Sequence, residues 1–132
     1  MSEVPEATRE RVASDPFCAK LGIEVVDLSA GRAVAELAVT DELLNFHGTP
    51  HGGAVYSLAD AAFAAASNSR GETALALETN ISYLDTVDVG DSLIATAEET
   101  HLAGKTGEYE VEVANENGDR VATFRGRVYR PE

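Results

Sequence analysis

Tryptophan is absent from the chain, and cysteine and methionine occur once each. The single Cys18 excludes an internal disulfide and suits a reducing cytoplasm, the compartment expected for this protein. Basic residues are scarce. Ten Lys and Arg stand against 23 Asp and Glu, a formal net charge of -13, and the lysines are Lys20 and Lys105 alone. That balance opposes non-specific association with nucleic acid or with anionic membranes. No apolar run approaches the roughly 20 residues that cross a bilayer, and the N-terminus lacks a signal-peptide core. Repeats, linkers and low-complexity stretches are also missing. Excess acid, little lysine and abundant alanine resemble proteins of a salt-rich cytoplasm, where high salt screens self-repulsion. The 132 residues suit one domain, 1–132, with a core of its own; residues 1–15, highly charged, are expected as a loosely attached N-terminal segment.

Against this background one stretch stands out, Gly52 to Asn68, rich in alanine with Leu58 and Phe63. These are good helix formers, and small or apolar residues occur on every side. A helix apolar all round is a buried helix. Asp60 is the single ionisable group inside it, one turn from Tyr56, Phe63 and Ala64. An unpaired carboxylate in such surroundings costs several kcal/mol or has its pKa forced upward. Asp60 therefore lies on a solvated edge, is tied to a neighbouring backbone group, or is kept for chemistry.

The remainder reads as strands. Val4 to Ala13 predicts a short helix, and Asp15-Pro16 a turn or helix start with Phe17, Cys18 and Leu21 as an apolar anchor. Ile23 to Leu28 and Arg32 to Thr40 predict a hairpin around Ser29-Ala30-Gly31. Asp41 to Pro50 is loop-like, and Arg70-Gly71 ends the long helix. Thr73 to Asp85 predicts a strand with Leu75, Leu77, Thr79, Ile81 and Tyr83 on one face. Leu93 to Leu102, then Glu108 to Val113, then Val121 to Arg130 are further strands, the last two joined at Asn117-Gly118. The order implies an α+β fold, a curved antiparallel sheet wrapped around one long buried helix. A second copy would complete the cover.

The approach to the helix is Asn45-Phe46-His47-Gly48-Thr49-Pro50-His51-Gly52-Gly53. Glycines at a helix N-terminus leave N–H groups free and keep side chains away, with the helix dipole behind them. Such a place suits a developing oxyanion. Gly52 and Asp60 lie about 12 Å apart along one helix, so no single reacting carbon meets both in the same chain. Two helices packed antiparallel about a two-fold axis would join Gly52 of one copy to Asp60 of the other. The working unit is then at least a dimer.

The run Asn45…His51-Gly52-Gly53…Ser57-Leu58-Ala59-Asp60…Ala62-Phe63 resembles the hotdog-fold acyl-CoA thioesterases of the phenylacetate-degradation (PaaI) type. Asn80-Ile81-Ser82-Tyr83-Leu84, Gly90-Asp91, Lys105 to Tyr109 and Ala122 to Gly126 extend the likeness over roughly residues 17 to 130. The resemblance implies a hotdog fold and hydrolysis of an acyl-CoA, with an aryl-acetyl or hydroxylated aromatic acyl group suggested. It implies no cofactor or metal, and a homodimer or dimer of dimers. Asp60 would act as base or nucleophile, the Gly52 N–H as oxyanion donor, and Asn45 and His51 as residues ordering loop, water and thioester. Gly53 and Phe63 are expected at the substrate, and Arg70, Lys105, Arg125 and Arg127 at the phosphates of coenzyme A. The Ser or Thr that some relatives place near the carboxylate is replaced by Ala76, and the Arg-Pro that often follows the Tyr-Leu pair by Asp85-Thr86. A hydratase on the same fold would pair Asp with a nearby His, which Asp60 lacks. A non-catalytic acyl-CoA-binding protein is the other alternative. His47 and His51 do not share a helical face as zinc ligands do, and no His-based triad surrounds Ser57.

Overall fold

The computed structural model describes residues 3–131. A short helix, α1 (Glu6–Ala13), is followed by α2 (Pro16–Leu21), a hairpin of β1 (Ile23–Ser29) and β2 (Arg32–Ala38), and the long helix α3 (Gly52–Ser67). Then come β3 (Leu75–Tyr83), β4 (Ser92–Ala103), β5 (Thr106–Ala114) and β6 (Arg120–Tyr129). The six strands form one sheet in the order β1-β2-β4-β5-β6-β3, antiparallel at every junction. The expected architecture is present: α3 lies in the concavity and touches all six strands, most closely β2, β4 and β5.

Small side chains allow that close approach. Ala33 pairs with Ala97 and Ala35 with Ala95, all fully buried, as are Ala59, Ala62 and Ala66 of the helix that packs on these strands. Larger groups fill the other side, where Phe63 stands edge-on to Tyr109 at 5.9 Å and tilted to Phe124 at 5.6 Å. Register shifts in β1, β3 and β4 insert extra residues that bend the strands around the helix.

Local signals explain the ends of the elements. The Asp15 carboxylate accepts from the N–H groups of Phe17 and Cys18 at 2.9 and 3.0 Å, Pro16 opens α2, and Gly22 ends it at φ 86°. At the far end of α3 the Asn68 side chain donates to the Ala64 carbonyl and accepts from the Ala74 N–H at 2.8 Å, stapling helix to strand.

Two expectations need correcting. The N-terminal segment is docked rather than loose among the described residues. Val4 and Thr8 are buried and Arg9 donates to the Leu28 carbonyl at 3.0 Å. The charge pattern conceals this because only one side of α1 meets the sheet edge. In β3, a bulge at Leu77 breaks the alternation: Leu75 pairs with Tyr129 rather than with buried Val128, and Leu75 and Leu77 are each 55% exposed. Thr79, Ile81 and Tyr83 keep the inward register, opposite Gly126, Phe124 and Ala122.

Candidate active site

The sheet covers most of α3 but leaves one strip open. Gly53, Tyr56, Ser57, Asp60 and Ala61 are half-buried and Ala64 exposed, positions that fall together on a 3.6-residue period. Asp60 lies in the middle of this strip. Its carboxylate has no hydrogen-bond partner among the described residues. Burial pushes its pKa up, and the negative charge of Asp15 on α2 adds to the shift. Cys18, beside the same group, has its thiol pushed up to about 11 by burial and by Asp15, so it supplies no thiolate near neutral pH.

Nothing in the sequence ties Asp15 to the site; the fold brings its charge there. If Asp60 works as an ionised base, activity falls as pH drops through its pKa. The acid limb of the pH–rate profile should then stand above the ordinary aspartate value of about 3.9. Replacing Asp15→Asn removes a charge yet retains a good helix cap. The limb should move to lower pH with little change in Tm; an unmoved limb would show that Asp15 exerts no field on Asp60.

The first turn of α3 is held from several directions. The His51 N–H donates to the Leu43 carbonyl at 2.7 Å, and the Ala54 N–H donates to the His51 carbonyl at 3.0 Å. The Gly53 N–H donates to His51 Nδ1 at 2.7 Å, which leaves the ring's proton on Nε2. Tyr83 Oη donates to the Gly52 carbonyl at 3.0 Å, and its ring would stand 3.3 Å from a Cβ added at Gly52. The Gly52 N–H has no acceptor among the described residues. It is a free amide at the positive end of the helix dipole. The sequence marked glycines here but not which amide is spoken for.

Tyr83 therefore does more than pack. Its hydroxyl fixes the peptide plane next to the free amide, across 31 residues of chain. Tyr83→Phe keeps the ring and removes that bond, worth about 0.5–1.5 kcal/mol. The expected result is a kcat lower by up to about tenfold with KM little changed. Equal changes in Tm and KM would assign the hydroxyl to folding alone.

Asn45 organises the preceding loop. Its side-chain oxygen accepts from the N–H groups of His47 and Thr49 at 2.9 and 3.2 Å, and from the Thr49 hydroxyl at 3.2 Å. Its amide nitrogen has no partner among the described residues. Leu44 and Pro50 bridge the base of this lobe, and Phe46 projects from its tip, 93% exposed.

Other residues expected at the ligand lie elsewhere in the single chain. Phe63 is 1% exposed and faces the sheet. Arg70 forms a two-pronged pair with Glu99, at 2.6 and 3.2 Å, and the Tyr109 hydroxyl donates to the same carboxylate at 2.8 Å. Burial alone would raise the Glu99 pKa, but those bonds hold it below the usual carboxylate range. Arg70 thus serves to seat the end of α3. Arg125 and Arg127 lie on the sheet face turned away from α3, beside Glu108 at 3.9 and 3.8 Å. Lys105 occupies the turn between β4 and β5. Ala76 is exposed on β3, and the Thr79 hydroxyl is hydrogen-bonded to Tyr56.

Residues 47–122 match the family model described as the Thioesterase superfamily. The acyl-coenzyme A thioesterase PaaI of Escherichia coli K12 is 44% identical over 114 residues, 86% of this chain and 81% of that protein. The chain belongs to the thioesterase superfamily. Among solved structures, the E. coli PaaI protein of the phenylacetic acid degradation operon superposes with a TM-score of 0.88 at 40% identity. That superposition covers 96% of this chain and 89% of that one. A Streptococcus mutans UA159 protein bound to acetyl-CoA is similar at a TM-score of 0.77 and 28% identity, over 82% of this chain and 87% of that one. These likenesses identify the fold as the hotdog and the branch as the PaaI type, and make the chain a thioester hydrolase. No helix of this family member is long and apolar enough, among the described residues, to cross a membrane.

Proposed function

We propose that the protein hydrolyses an acyl-CoA thioester to a carboxylate and free coenzyme A, at a site shared between two copies of the chain. One observation carries the proposal: among the described residues, a carboxylate without a hydrogen-bond partner and a backbone amide without an acceptor stand on the same helix, about 12 Å apart. Neither suffices alone, and antiparallel pairing of two α3 helices brings each to the other's complement.

The surface supports such pairing. β3 is an edge strand with unpaired backbone groups on its outer side. Leu75, Leu77, Tyr83 and Leu84 on or beside it are exposed, next to the open strip of α3. A second copy adding its β3 edge to edge would cover strand and strip together.

In the shared site the thioester carbonyl oxygen accepts from the Gly52 N–H of one copy. Asp60 of the other takes a proton from water as the water oxygen attacks the carbonyl carbon. Collapse of the tetrahedral intermediate breaks the carbon–sulfur bond, and the departing thiolate takes up a proton as coenzyme A. Direct attack by the carboxylate, through an anhydride that water then opens, needs the same geometry. Asn45, with its amide nitrogen unengaged, and His51, with its proton on Nε2, lie close to the helix start that receives the carbonyl. Water is the only co-reactant, so no cofactor enters the cycle. The similar E. coli protein comes from the phenylacetic acid degradation operon, which supports an arylacetyl group among the substrates.

The test is release of free thiol from a panel of acyl-CoAs by the wild-type protein, alongside sedimentation at the assay concentration. Thiol release by an assembly of two or more chains is the expected result. Tight acyl-CoA binding without thiol release would make this a binding protein, and full activity of a monomer would remove the shared site.

A further inference from the structure

Phe46 is the most exposed large apolar side chain among the described residues, and it is held out rather than left loose. The Gly48 N–H donates to the Asn45 carbonyl at 3.0 Å, the Asn45 N–H donates to the Thr49 carbonyl at 2.8 Å, and Gly48 adopts φ 81°. With the bonds that the Asn45 side chain accepts, these close a tight turn just before α3, and Phe46 stands at its tip. Its ring leans on His47, the centroids 4.1 Å apart. A ring of this kind buries about 150–250 Å² when it is covered. A turn so well fixed, presenting a bare ring, implies a cover that the single chain does not supply.

We propose that Phe46 of one copy seats in a cavity of the other, and so sets the register of the site they share. This rests on the shared-site reading above. The cavity, of about 320 Å³, lies on the open strip of α3 past Asp60, with Ala61, Ala64 and Asn68 along its floor and Val12 of α1 in its outer wall. Antiparallel pairing fixes what faces it. Where Gly52 of one copy is level with Asp60 of the other, the chain before that glycine lies beyond Asp60, alongside residues 61 to 68 of the second helix. That stretch is about 12 Å long, and the lobe carrying Phe46 is what reaches it. Leu75 also lines the cavity, 55% exposed on the edge strand that a second copy would extend, so cavity and proposed interface are continuous.

Size and charge agree with the ring. An apolar cavity of order 150 Å³ binds benzene, so this one has room for a phenyl ring and part of its lobe. Asp15 and Glu72 line it against the single cation Arg11, and each copy has a net charge of -13. Contact between copies this acidic falls to uncharged groups, and a neutral ring enters where an anion is repelled. Seating Phe46 fixes the lobe at its tip, as the Leu44–Pro50 bridge fixes it at its base. Asn45 and the Gly52 amide are thereby held opposite the carboxylate of the other copy. Phe46 is a positioning residue, acting through the lobe that carries it.

The test mixes tagged with untagged copies and follows the rate of subunit exchange by native mass spectrometry, with thiol release from phenylacetyl-CoA measured on the same assembled samples. Phe46→Ala should speed exchange about tenfold or more, as loss of a buried aromatic anchor does, and lower kcat more than it alters KM. Phe46→Leu should restore most of both. Ala64→Leu fills the seat and should also speed exchange, yet adding it to Phe46→Ala should change the rate no further. Exchange at the wild-type rate in Phe46→Ala or in Ala64→Leu would overturn the proposal. So would effects that multiply in the double variant, since residues that do not meet act independently. Faster exchange with an unaltered kcat would remove the positioning role. A wild type that sediments as a monomer would remove the shared site and this contact with it. The expected exchange rates without any thiol release would leave the seat standing and remove the proposed hydrolysis alone.

Discussion

Replacing Asp60→Asn should lower kcat by about 10²–10⁴, the range that a positioned acid–base group supplies. Asparagine keeps the size and shape of the side chain but cannot take a proton from water or attack a carbonyl. The same substitution should leave Tm unchanged or raise it. The sign follows from the upward shift of the Asp60 pKa. A carboxyl that holds its proton more tightly in the folded chain than in the unfolded one opposes folding once pH rises past its unfolded value. At neutral pH the neutral amide relieves that cost. Loss of activity with undiminished stability is the pattern of a group kept for chemistry. Undiminished hydrolysis would take Asp60 out of the mechanism, and a marked fall in Tm would make its role structural. Thiol release and thermal unfolding of the two proteins, side by side, decide among these.

The second large effect is on folding. Gly126 lies buried on β6, where an added Cβ would stand 2.5 Å from Phe63 Cε1 and 2.6 Å from its Cζ. The Phe63 ring cannot yield, being enclosed by Tyr109 and Phe124. Overpacking of this kind costs about 1–3 kcal/mol, and the backbone entropy gained on replacing glycine returns about 0.4–1 kcal/mol. Gly126→Ala should therefore destabilise the protein by about 1–2 kcal/mol, or on the order of 5 °C in Tm for a domain of this size. Phe63→Leu in the same chain should recover part of the loss, because the two residues compete for one volume. A Gly126→Ala protein with the wild-type Tm would mean that the sheet moves aside more easily than the packing suggests.

Much of the fold is legible in the chain itself. The alternation of Tyr109, Val111 and Val113 with Glu108, Glu110 and Glu112 marks β5, and Asn117-Gly118 marks the turn that joins it to β6. Asp15-Pro16 marks the start of α2 because capping and a fixed proline φ act within a few residues. The unbroken small and apolar content of Gly52 to Ser67 marks a helix that needs cover on several sides. The failures are of another kind. The bulge at Leu77 turns β3 away from a simple alternation, and nothing in the residues 75 to 79 announces it. Arg70, at the end of the predicted helix, and Arg125, inside the last predicted strand, are both candidates for an anionic ligand by charge alone. Only the folded chain shows one clasping Glu99 and the other on the far side of the sheet.

The sequence by itself determined the kinds of element, their order, and the two groups, Asp60 and the glycine-led helix start, on which a thioester reading turns. Periodicity, caps and turns are short-range effects, and a carboxylate amid alanines is conspicuous in any order of residues. Only the tertiary structure decided that Asp15 lies near enough for its charge to act on Asp60 and that Tyr83 pins the Gly52 carbonyl. It alone showed that His51 consumes the Gly53 amide and leaves that of Gly52 free. Each of these joins residues through packing or across the sheet. Their energy depends on distance and burial, which residue identity alone does not encode.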